Sequence, residues 1–419
     1  MTDAVASDSC RRRSDCRLCG GTRLTLAFSL APTPPANAFV PASALATPQA
    51  RFPLDVFFCE DCAHVQLLDV VDPRILFEHY VYVSGTSPVF VKHFRDYAAR
   101  AVDRFGLVAG DLAIDIGSND GTLLAAFKDL GLKVLGIDPA IEIANDATRR
   151  GIETIAGFFT PGLARKIHSD RGAARVVTAN NVFAHADDLK GIVEGVRALL
   201  APDGVFAFEV SYLADVYENT LFDTIYHEHL AYHSVKPLRA FMAANGMHLF
   251  AAERVDSHGG SLRGFAQLKG GLRAEEGSVD KLVALEEGLG LDRAETIKGF
   301  ARRIDALGKG LRDLLGRLKA DGKRIAGFGA PAKATTLLYH FGIGPETLDF
   351  IVDDSPLKQR LFTPGMHIPV LPSSALFERK PDYALILAWN FAKPIIEKNA
   401  RFREQGGRFI VPLPRIDVI

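Results

Sequence analysis

The feature that most constrains the fold is a strand–turn–helix–strand pattern between residues 111 and 139. An apolar strand over 111–117 ends in an acid and a glycine, and a helix follows the turn. A second apolar strand ends in Asp138. This order is typical of half of a dinucleotide-type domain, in which helices cover an open parallel sheet. Strands predicted at 174–180 and 204–210 end at the edge where such sheets bind ligands.

The turn between strand and helix distinguishes between cofactors. It carries Asp115 before its first glycine, Gly117. A pyrophosphate would be repelled by that acid, because it binds bare backbone N–H groups. A cationic sulfonium with an amino-acid tail suits the acid, and Asp138 would accept hydrogen bonds from its ribose hydroxyls. We therefore predict S-adenosylmethionine rather than a core without cofactor. The predicted cofactor residues are Asp115, Gly117, Asn119, Gly121, Asp138 and Asn180.

Four of the five cysteines form two pairs, Cys16-x-x-Cys19 and Cys59-x-x-Cys62. Two such pairs can aim four sulfurs at one point, which gives the tetrahedral thiolate set that Zn²⁺ prefers. With all four positions taken by sulfur the ion has no open site, so we predict a structural zinc rather than unligated buried cysteines. Cys10 is predicted to be a free thiol.

Composition excludes some partners. The net charge of -1 over 419 residues gives no global basic surface for nucleic acid. No apolar run approaches the roughly 20 residues that span a bilayer, and the N-terminus lacks a signal-peptide pattern. We therefore predict a cytoplasmic protein without a membrane or nucleic-acid partner, and a monomer. Arg11-Arg12-Arg13 is interpreted as a solvated tail.

A second strand–glycine turn–helix pattern begins near residue 324, after a helical stretch over 282–320. Further strands at 348–354, 369–371 and 383–388 predict a second open α/β domain. Lys333 lies in the first turn of the helix, and a helix N-terminus with a lysine suits phosphate. We therefore predict a phosphate contact by Gly329 and Lys333. The alternative is a tight turn with a solvated lysine.

The run Tyr226-His227-Glu228-His229 concentrates acid–base groups after the strand at 204–210. Methylating a carbon beside a ketone needs a base and a donor to the enolate oxygen, and histidine suits neutral pH. His227 or His229 could be the base, Glu228 an orienting group or hydroxyl partner, and Tyr226 a donor. Adjacent side chains diverge, so at most three of the four act together.

Two alternatives remain open from these residues. An O- or N-methyltransferase would need no strong carbon base, and a zinc-ribbon assembly protein with a vestigial Rossmann-like core would need no cofactor.

His185, which follows the strand at 174–180, could reach the pocket formed by the run from Tyr226 to His229.

The whole pattern resembles the three-domain, zinc-containing, S-adenosylmethionine-dependent C-methyltransferases that act on nucleotide-linked 4-keto deoxysugars. The resemblance covers nearly the full chain. Its motifs are the two cysteine pairs, Asp115 to Gly121, Asn180 to His185, Tyr226 to His229, His258 to Arg263, and Gly327 to Lys333.

The resemblance implies a zinc module at 1–75, a class I methyltransferase domain at 76–275 and a C-terminal Rossmann-like α/β domain at 276–419. It implies that His229 is the base, and that Tyr226, Glu228, His185 and Tyr80 line the pocket, with Tyr82 as an alternative to Tyr80. It also implies an enolate mechanism on a nucleotide-diphosphate sugar. The nucleotide is predicted to be dTDP and the methylated carbon C-3, with C-5 as the alternative.

Overall fold

The computed structural model describes residues 9–78, 83, 85, 88–257 and 259–419. The described N-terminal part consists of antiparallel strands, a 3-10 helix at Ala42–Ala44 and a short α-helix. Its elements are β1 (Cys10–Arg12), β2 (Leu24–Thr33), β3 (Phe52–Cys59), β4 (Val65–Leu67), β5 (Asp69–Val71) and α1 (Pro73–Phe77). The register of β2 against β3 places Leu24 opposite Cys59, which brings the two cysteine pairs to the same end of this sheet.

The central part alternates helices and strands, as the sequence predicts. Its elements are α2 (Pro88–Phe105), β6 (Leu112–Ile116), α3 (Thr122–Asp129), β7 (Lys133–Asp138), α4 (Ile141–Arg149), β8 (Thr154–Ala156), α5 (Pro161–Arg171), β9 (Ala174–Asn180), α6 (Leu189–Leu199), β10 (Leu200–Ser211), α7 (Leu213–Glu218), β11 (Ala231–Tyr232), α8 (Val235–Ala244), β12 (Met247–Val255) and β13 (Ser261–Leu268). A short 3-10 helix, Phe222–Thr224, precedes β11.

Seven of these strands form one sheet in the order β12-β13-β10-β9-β6-β7-β8. The strands from β10 to β8 run parallel, and β12 and β13 are antiparallel to their neighbours. Every residue of β6 is buried, because helices cover both faces of a parallel sheet. The carboxyl ends of β6, β7, β9 and β10 therefore meet at one edge, which carries the candidate site.

The C-terminal part forms the second α/β sheet that the sequence predicts. Its elements are α9 (Gly277–Leu289), α10 (Ala294–Ala320), β14 (Ile325–Phe328), α11 (Ala332–Phe341), β15 (Ile351–Val352), β16 (Val370–Leu371), α12 (Ala375–Arg379), β17 (Tyr383–Ile386), α13 (Ala392–Lys398), α14 (Ala400–Glu404), β18 (Arg408–Val411) and β19 (Asp417–Val418). The sheet order is β16-β15-β14-β17-β18-β19. The predicted helical stretch at 282–320 is two helices, since Gly290 ends the first in a left-handed conformation.

The predicted fold class, an α/β chain with a zinc module and two Rossmann-like parts, is confirmed. The domain bounds 1–75, 76–275 and 276–419 stay predictions.

The strand β11, from the central part of the chain, joins the N-terminal sheet. It pairs with β4, so this sheet has the order β11-β4-β3-β2. Among the described residues, no helix combines the length and the apolar character needed to cross a membrane.

The interpretation of Arg11-Arg12-Arg13 as a solvated tail is wrong. Arg11 and Arg12 belong to β1, which pairs with β5, and Arg13 directly follows this strand. Arg12 binds Asp55 and Asp69, and Arg11 and Arg13 both reach Asp187. Aspartates distant in sequence supply the partners, so the charge run alone could not reveal this arrangement.

Candidate functional site

The four paired cysteines converge as predicted. The Sγ atoms of Cys16 and Cys62 lie 3.6 Å apart, as do those of Cys19 and Cys59, and all four lie within 4.8 Å of one another. A tetrahedral zinc with Zn–S bonds of about 2.3 Å needs sulfurs separated by about 3.8 Å. The donor set therefore fits one zinc ion with no open coordination position. Cys10 lies outside this group.

The turn after β6 packs closely on the segment that precedes His185. Gly117 adopts a φ of 68°, and a Cβ there would collide with Val182, three residues before His185. The cofactor turn thus packs directly on the segment that carries a predicted pocket histidine. A side chain at Gly117 would separate the two.

Three buried acids, Asp115, Asp120 and Asp138, surround this turn. Asp138 accepts hydrogen bonds from the N–H groups of Asn119 and Ala140, each at 2.8 Å. Burial raises the pKa of Asp115 to about 7, and repulsion from Asp138 adds to the rise, against a 2.6 Å hydrogen bond from Thr178. A cationic ligand would favour the charged form of these carboxylates, whereas a pyrophosphate would add repulsion.

Asn180 supplies an independent indication of a ligand at this edge. Both polar side-chain atoms are buried without a hydrogen-bond partner among the described residues. A buried amide without a partner costs about 1–3 kcal/mol, so such groups usually face a bound ligand or water. The residues at the ends of β6, β7 and β9 thus fit S-adenosylmethionine. The individual cofactor contacts of Asp115, Gly117, Asn119, Gly121, Asp138 and Asn180 stay predictions.

Replacing Asp138 with asparagine is expected to weaken S-adenosylmethionine binding by about 10–100-fold, since hydrogen bonds to charged groups contribute about 1.5–3 kcal/mol. Isothermal titration calorimetry measures the effect. Asp129→Asn, at the exposed end of α3, is the matched control and should bind normally. An unchanged dissociation constant for Asp138→Asn would contradict the assignment.

The run from Tyr226 to His229 is a compact turn between the 3-10 helix Phe222–Thr224 and β11. His229 Nδ1 lies 2.7 Å from the carbonyl oxygen of Thr224, so Nδ1 carries the proton and Nε2 keeps a free lone pair. The ring packs between Tyr226, at 4.1 Å between centroids, and His185, at 4.9 Å. Burial lowers the pKa of His229 to about 4, so the imidazole is neutral at pH 7.

The two residues before His229 face the N-terminal part of the chain. His227 is fully buried, its Nε2 lies 3.1 Å from the carbonyl oxygen of Phe52, and its ring packs edge-on against Phe52. Glu228 is also buried and accepts a 2.8 Å hydrogen bond from Asn37. The structure thus brings Tyr226, His229 and His185 together and directs His227 into the N-terminal sheet.

Hydrogen bonds also connect the segment before Tyr226 to the C-terminal part. Thr336 Oγ1 donates to the carbonyl oxygen of Ile225 at 2.7 Å, and Trp389 Nε1 donates to the buried Asp223 carboxylate at 2.6 Å. Burial raises the pKa of Asp223 to about 6, while the Lys333 ammonium opposes the rise. The segment before Tyr226 is therefore held from the C-terminal side.

Lys333 and Gly329, predicted to contact phosphate, have internal partners. The Lys333 ammonium donates to Asn390 at 2.7 Å and lies 3.5 Å from the centroid of the Trp389 ring. The N–H of Gly329 donates to the carbonyl oxygen of Val352 at 2.7 Å, and the next N–H, of Ala330, donates to Asp353 at 2.7 Å. A phosphate at this turn would compete with these contacts, so the predicted substrate role of both residues stays a prediction. The alternative of a solvated lysine is wrong, because Lys333 is buried.

Tyr80, which is predicted to line the pocket, and its alternative Tyr82 lie outside the described residues, as does His258.

Sequence reasoning missed a buried ion pair at the end of β10. Arg263 Nη2 lies 2.6 Å from Glu209, which also binds His93 and Ser257. Arg263 stands in one of the motifs that carried the resemblance, but nothing in the sequence reveals its partner on another strand.

Burial also predicts a pH dependence of stability. His227 and His233 have their pKa lowered by burial from 6.5 to about 4. Below pH 6.5 the unfolded chain binds protons that the folded chain does not, so the free energy of unfolding falls as the pH drops toward 4. The loss approaches about 3 kcal/mol for each histidine.

Urea unfolding across this pH range measures that loss. His227→Gln should flatten the decline, whereas His248→Gln, at a partly exposed residue paired with Glu275, should follow the parent protein. Identical declines in the parent and His227→Gln would contradict the prediction.

Each of the three parts of the chain matches a family model built from known proteins. Three family models match consecutive parts of the chain: a zinc binding domain over residues 16–77, a methyltransferase domain over 90–251 and a C-methyltransferase C-terminal domain over 256–414. C-methyltransferase NovU of Streptomyces niveus is 38% identical over 412 residues, which span 98% of each chain.

Other similarities are more limited. A ubiquinone biosynthesis O-methyltransferase of Burkholderia ambifaria is 25% identical over 169 residues, 38% of this chain and 73% of that protein. Among solved structures, the PH0226 protein from Pyrococcus horikoshii OT3 covers 45% of this chain and 95% of its own, with 15% identity and a TM-score of 0.37.

Proposed function

The chain belongs to the S-adenosylmethionine-dependent C-methyltransferases with an N-terminal zinc-binding domain, and from this premise we propose that it methylates a nucleotide-linked 4-keto deoxysugar beside the ketone. The proposed nucleotide is dTDP and the proposed carbon is C-3. The proposal rests on the family membership and on the acid–base groups between Tyr226 and His229.

One observation carries the proposed mechanism: the hydrogen bond from His229 Nδ1 to the Thr224 carbonyl. It fixes the tautomer in which Nε2 is an acceptor, and the neutral ring needs no prior deprotonation at pH 7. We assign Nε2 the removal of the proton from the carbon next to the ketone. General base catalysis of this kind contributes about 10²–10⁴-fold to a rate.

Neighbouring groups would complete the step. The Tyr226 hydroxyl would donate to the enolate oxygen, where developing negative charge makes a donor most effective. Glu228, held by Asn37, would accept a hydrogen bond from a sugar hydroxyl. His185 would restrict the His229 ring by stacking on it, and Tyr80 would line the pocket.

The proposed proton removal and methyl transfer need no reactant other than the sugar and the methyl donor. The carbon–hydrogen bond breaks as His229 takes the proton, and its electron pair forms the enolate. The enolate carbon would then form a bond to the methyl carbon as the carbon–sulfur bond breaks and its electron pair passes to sulfur. When bound, S-adenosylmethionine would supply that electrophilic methyl group, with neutral S-adenosylhomocysteine as the leaving thioether, and His229 would then release its proton to solvent.

Deuterium exchange tests the first step separately from methyl transfer. A panel of dTDP-, GDP- and UDP-linked 4-keto deoxysugars is incubated with the enzyme in D₂O, with S-adenosylhomocysteine in place of the methyl donor. Proton NMR should show loss of the signal from the hydrogen beside the ketone, fastest for the dTDP-linked sugar. Absence of enzyme-dependent exchange across the whole panel would overturn the enolate mechanism.

A further inference from the structure

Arg17 lies between two of the zinc-binding cysteines, Cys16 and Cys19, yet its side chain points away from the metal and is completely buried. Its Nη1 shares its two hydrogens among the carbonyl oxygen of Leu67, the side-chain oxygen of Gln66 at 3.1 Å and, more distantly, the carbonyl oxygen of Leu230 at 3.4 Å. Leu230 directly follows His229. The backbone of a metal-binding turn is thus connected through one guanidinium to the predicted base.

The same guanidinium also contacts the segment that carries the second pocket histidine, His185. Arg17 Nε donates to Asp187 Oδ1 at 3.1 Å, and Asp187 stands two residues after His185. Arg13 Nη1 contacts the same carboxylate oxygen at 3.1 Å, and Arg11 also binds Asp187. Three arginines of the zinc module therefore converge on the segment that carries His185.

Backbone hydrogen bonds join these segments to each other. Leu67 N–H donates to the carbonyl oxygen of Leu230 at 3.0 Å, where β11 extends the N-terminal sheet. The N–H groups of Leu230 and Ala231 donate to the carbonyl oxygen of Ala184 at 2.9 and 3.1 Å. The residue before His185 and the residues after His229 are thus held against one edge of the zinc module.

We propose that Arg17 is a positioning residue through which the zinc module sets the relative placement of His185 and His229. An arginine suits this task, because its planar fork of N–H donors can hold carbonyl and carboxylate groups in fixed directions. Hydrogen bonds to a charged group are stronger than neutral ones, so the connection resists local opening. The assignment of the two histidines to the reaction rests on the proposed function, whereas the connection between the segments does not.

Hydrogen–deuterium exchange of the ligand-free protein tests the connection directly. In Arg17→Met, the peptides that contain residues 181–187 and 226–232 should exchange about tenfold faster or more, as expected when hydrogen bonds to a charged group are removed. Arg12→Met is the matched control, since Arg12 binds Asp55 and Asp69 within the zinc module only. It should leave both peptides as protected as in the parent protein. Zinc content, measured by mass spectrometry, should equal that of the parent protein in both variants.

Kinetics test the consequence for the reaction. A small misplacement of reacting groups can cost about 10²-fold, so kcat of Arg17→Met should fall by about that factor while KM for S-adenosylmethionine stays unchanged. Unchanged exchange in Arg17→Met with zinc retained, or faster exchange with unchanged kcat, would overturn the proposal.

A second variant tests the positioning role if Arg17→Met loses zinc or fails to fold. Asp187→Asn removes the partner at a partly exposed position and leaves every cysteine and Arg17 in place. Faster exchange over residues 181–187 together with a lower kcat supports the positioning role, and unchanged values of either overturn it. If the parent protein transfers no methyl group to carbon, the proposed function fails, while the exchange measurement still judges the connection.

Discussion

Replacing His229 with asparagine is expected to lower kcat for methyl transfer by about 10²–10⁴-fold, the contribution of a positioned general base. Asparagine keeps a donor for the Thr224 carbonyl but has no basic nitrogen in the place of Nε2. S-adenosylmethionine affinity should stay unchanged, because the predicted cofactor residues lie on other segments. Steady-state kinetics and calorimetry on the same preparation measure both quantities.

His227→Gln is the discriminating control for this experiment. Glutamine can still donate to the Phe52 carbonyl, so the folded fraction should keep most of its turnover. The reverse result, with His229→Asn active and His227→Gln inactive, would move the base to His227. Activity in both variants would favour an O- or N-methyltransferase that needs no carbon base.

Loss of zinc is expected to unfold the N-terminal sheet and abolish methyl transfer. Structural zinc sites contribute about 10–16 kcal/mol in small domains, which is comparable with the whole stability of a typical protein at about 5–15 kcal/mol. Cys59→Ser removes a buried ligand at the end of β3 and should lower zinc content and melting temperature together. Cys10→Ser, outside the cysteine cluster, is the control.

The consequence for the site follows from the shared sheet. Because β11 pairs with β4, unfolding of the N-terminal sheet would release the residues that follow His229. S-adenosylmethionine binding should persist in Cys59→Ser, since its predicted site lies on β6, β7 and β9. A zinc-free protein with the melting temperature and turnover of the parent protein would contradict a structural role for the metal.

Much of the architecture could be predicted because it depends on local patterns. Buried parallel strands such as β6 and β9 consist mainly of apolar residues, and the acid and the glycine at the end of β6, Asp115 and Gly117, are separated by one residue. The spacing within each of the two cysteine pairs likewise indicates their geometry. The family, the methyltransferase activity, the cofactor and the zinc site predicted from these patterns are confirmed.

The contacts between distant segments could not be predicted in this way. A two-residue strand such as β11 has no periodicity of its own, and its pairing with β4 depends on how the parts dock. The partner of Glu209, Arg263, lies on a neighbouring antiparallel strand. Lys333 looks like a phosphate ligand in sequence, yet Asn390 and Trp389 from a later segment surround its ammonium.

The most direct test of the central claim is to locate the transferred methyl group. The enzyme is incubated with a dTDP-linked 4-keto deoxysugar and S-adenosylmethionine labelled with ¹³C in its methyl group, and the product is analysed by heteronuclear NMR. We predict a labelled methyl group bound to carbon at C-3, beside the ketone, and no such product from His229→Asn. A labelled methyl group on oxygen or nitrogen would contradict the account.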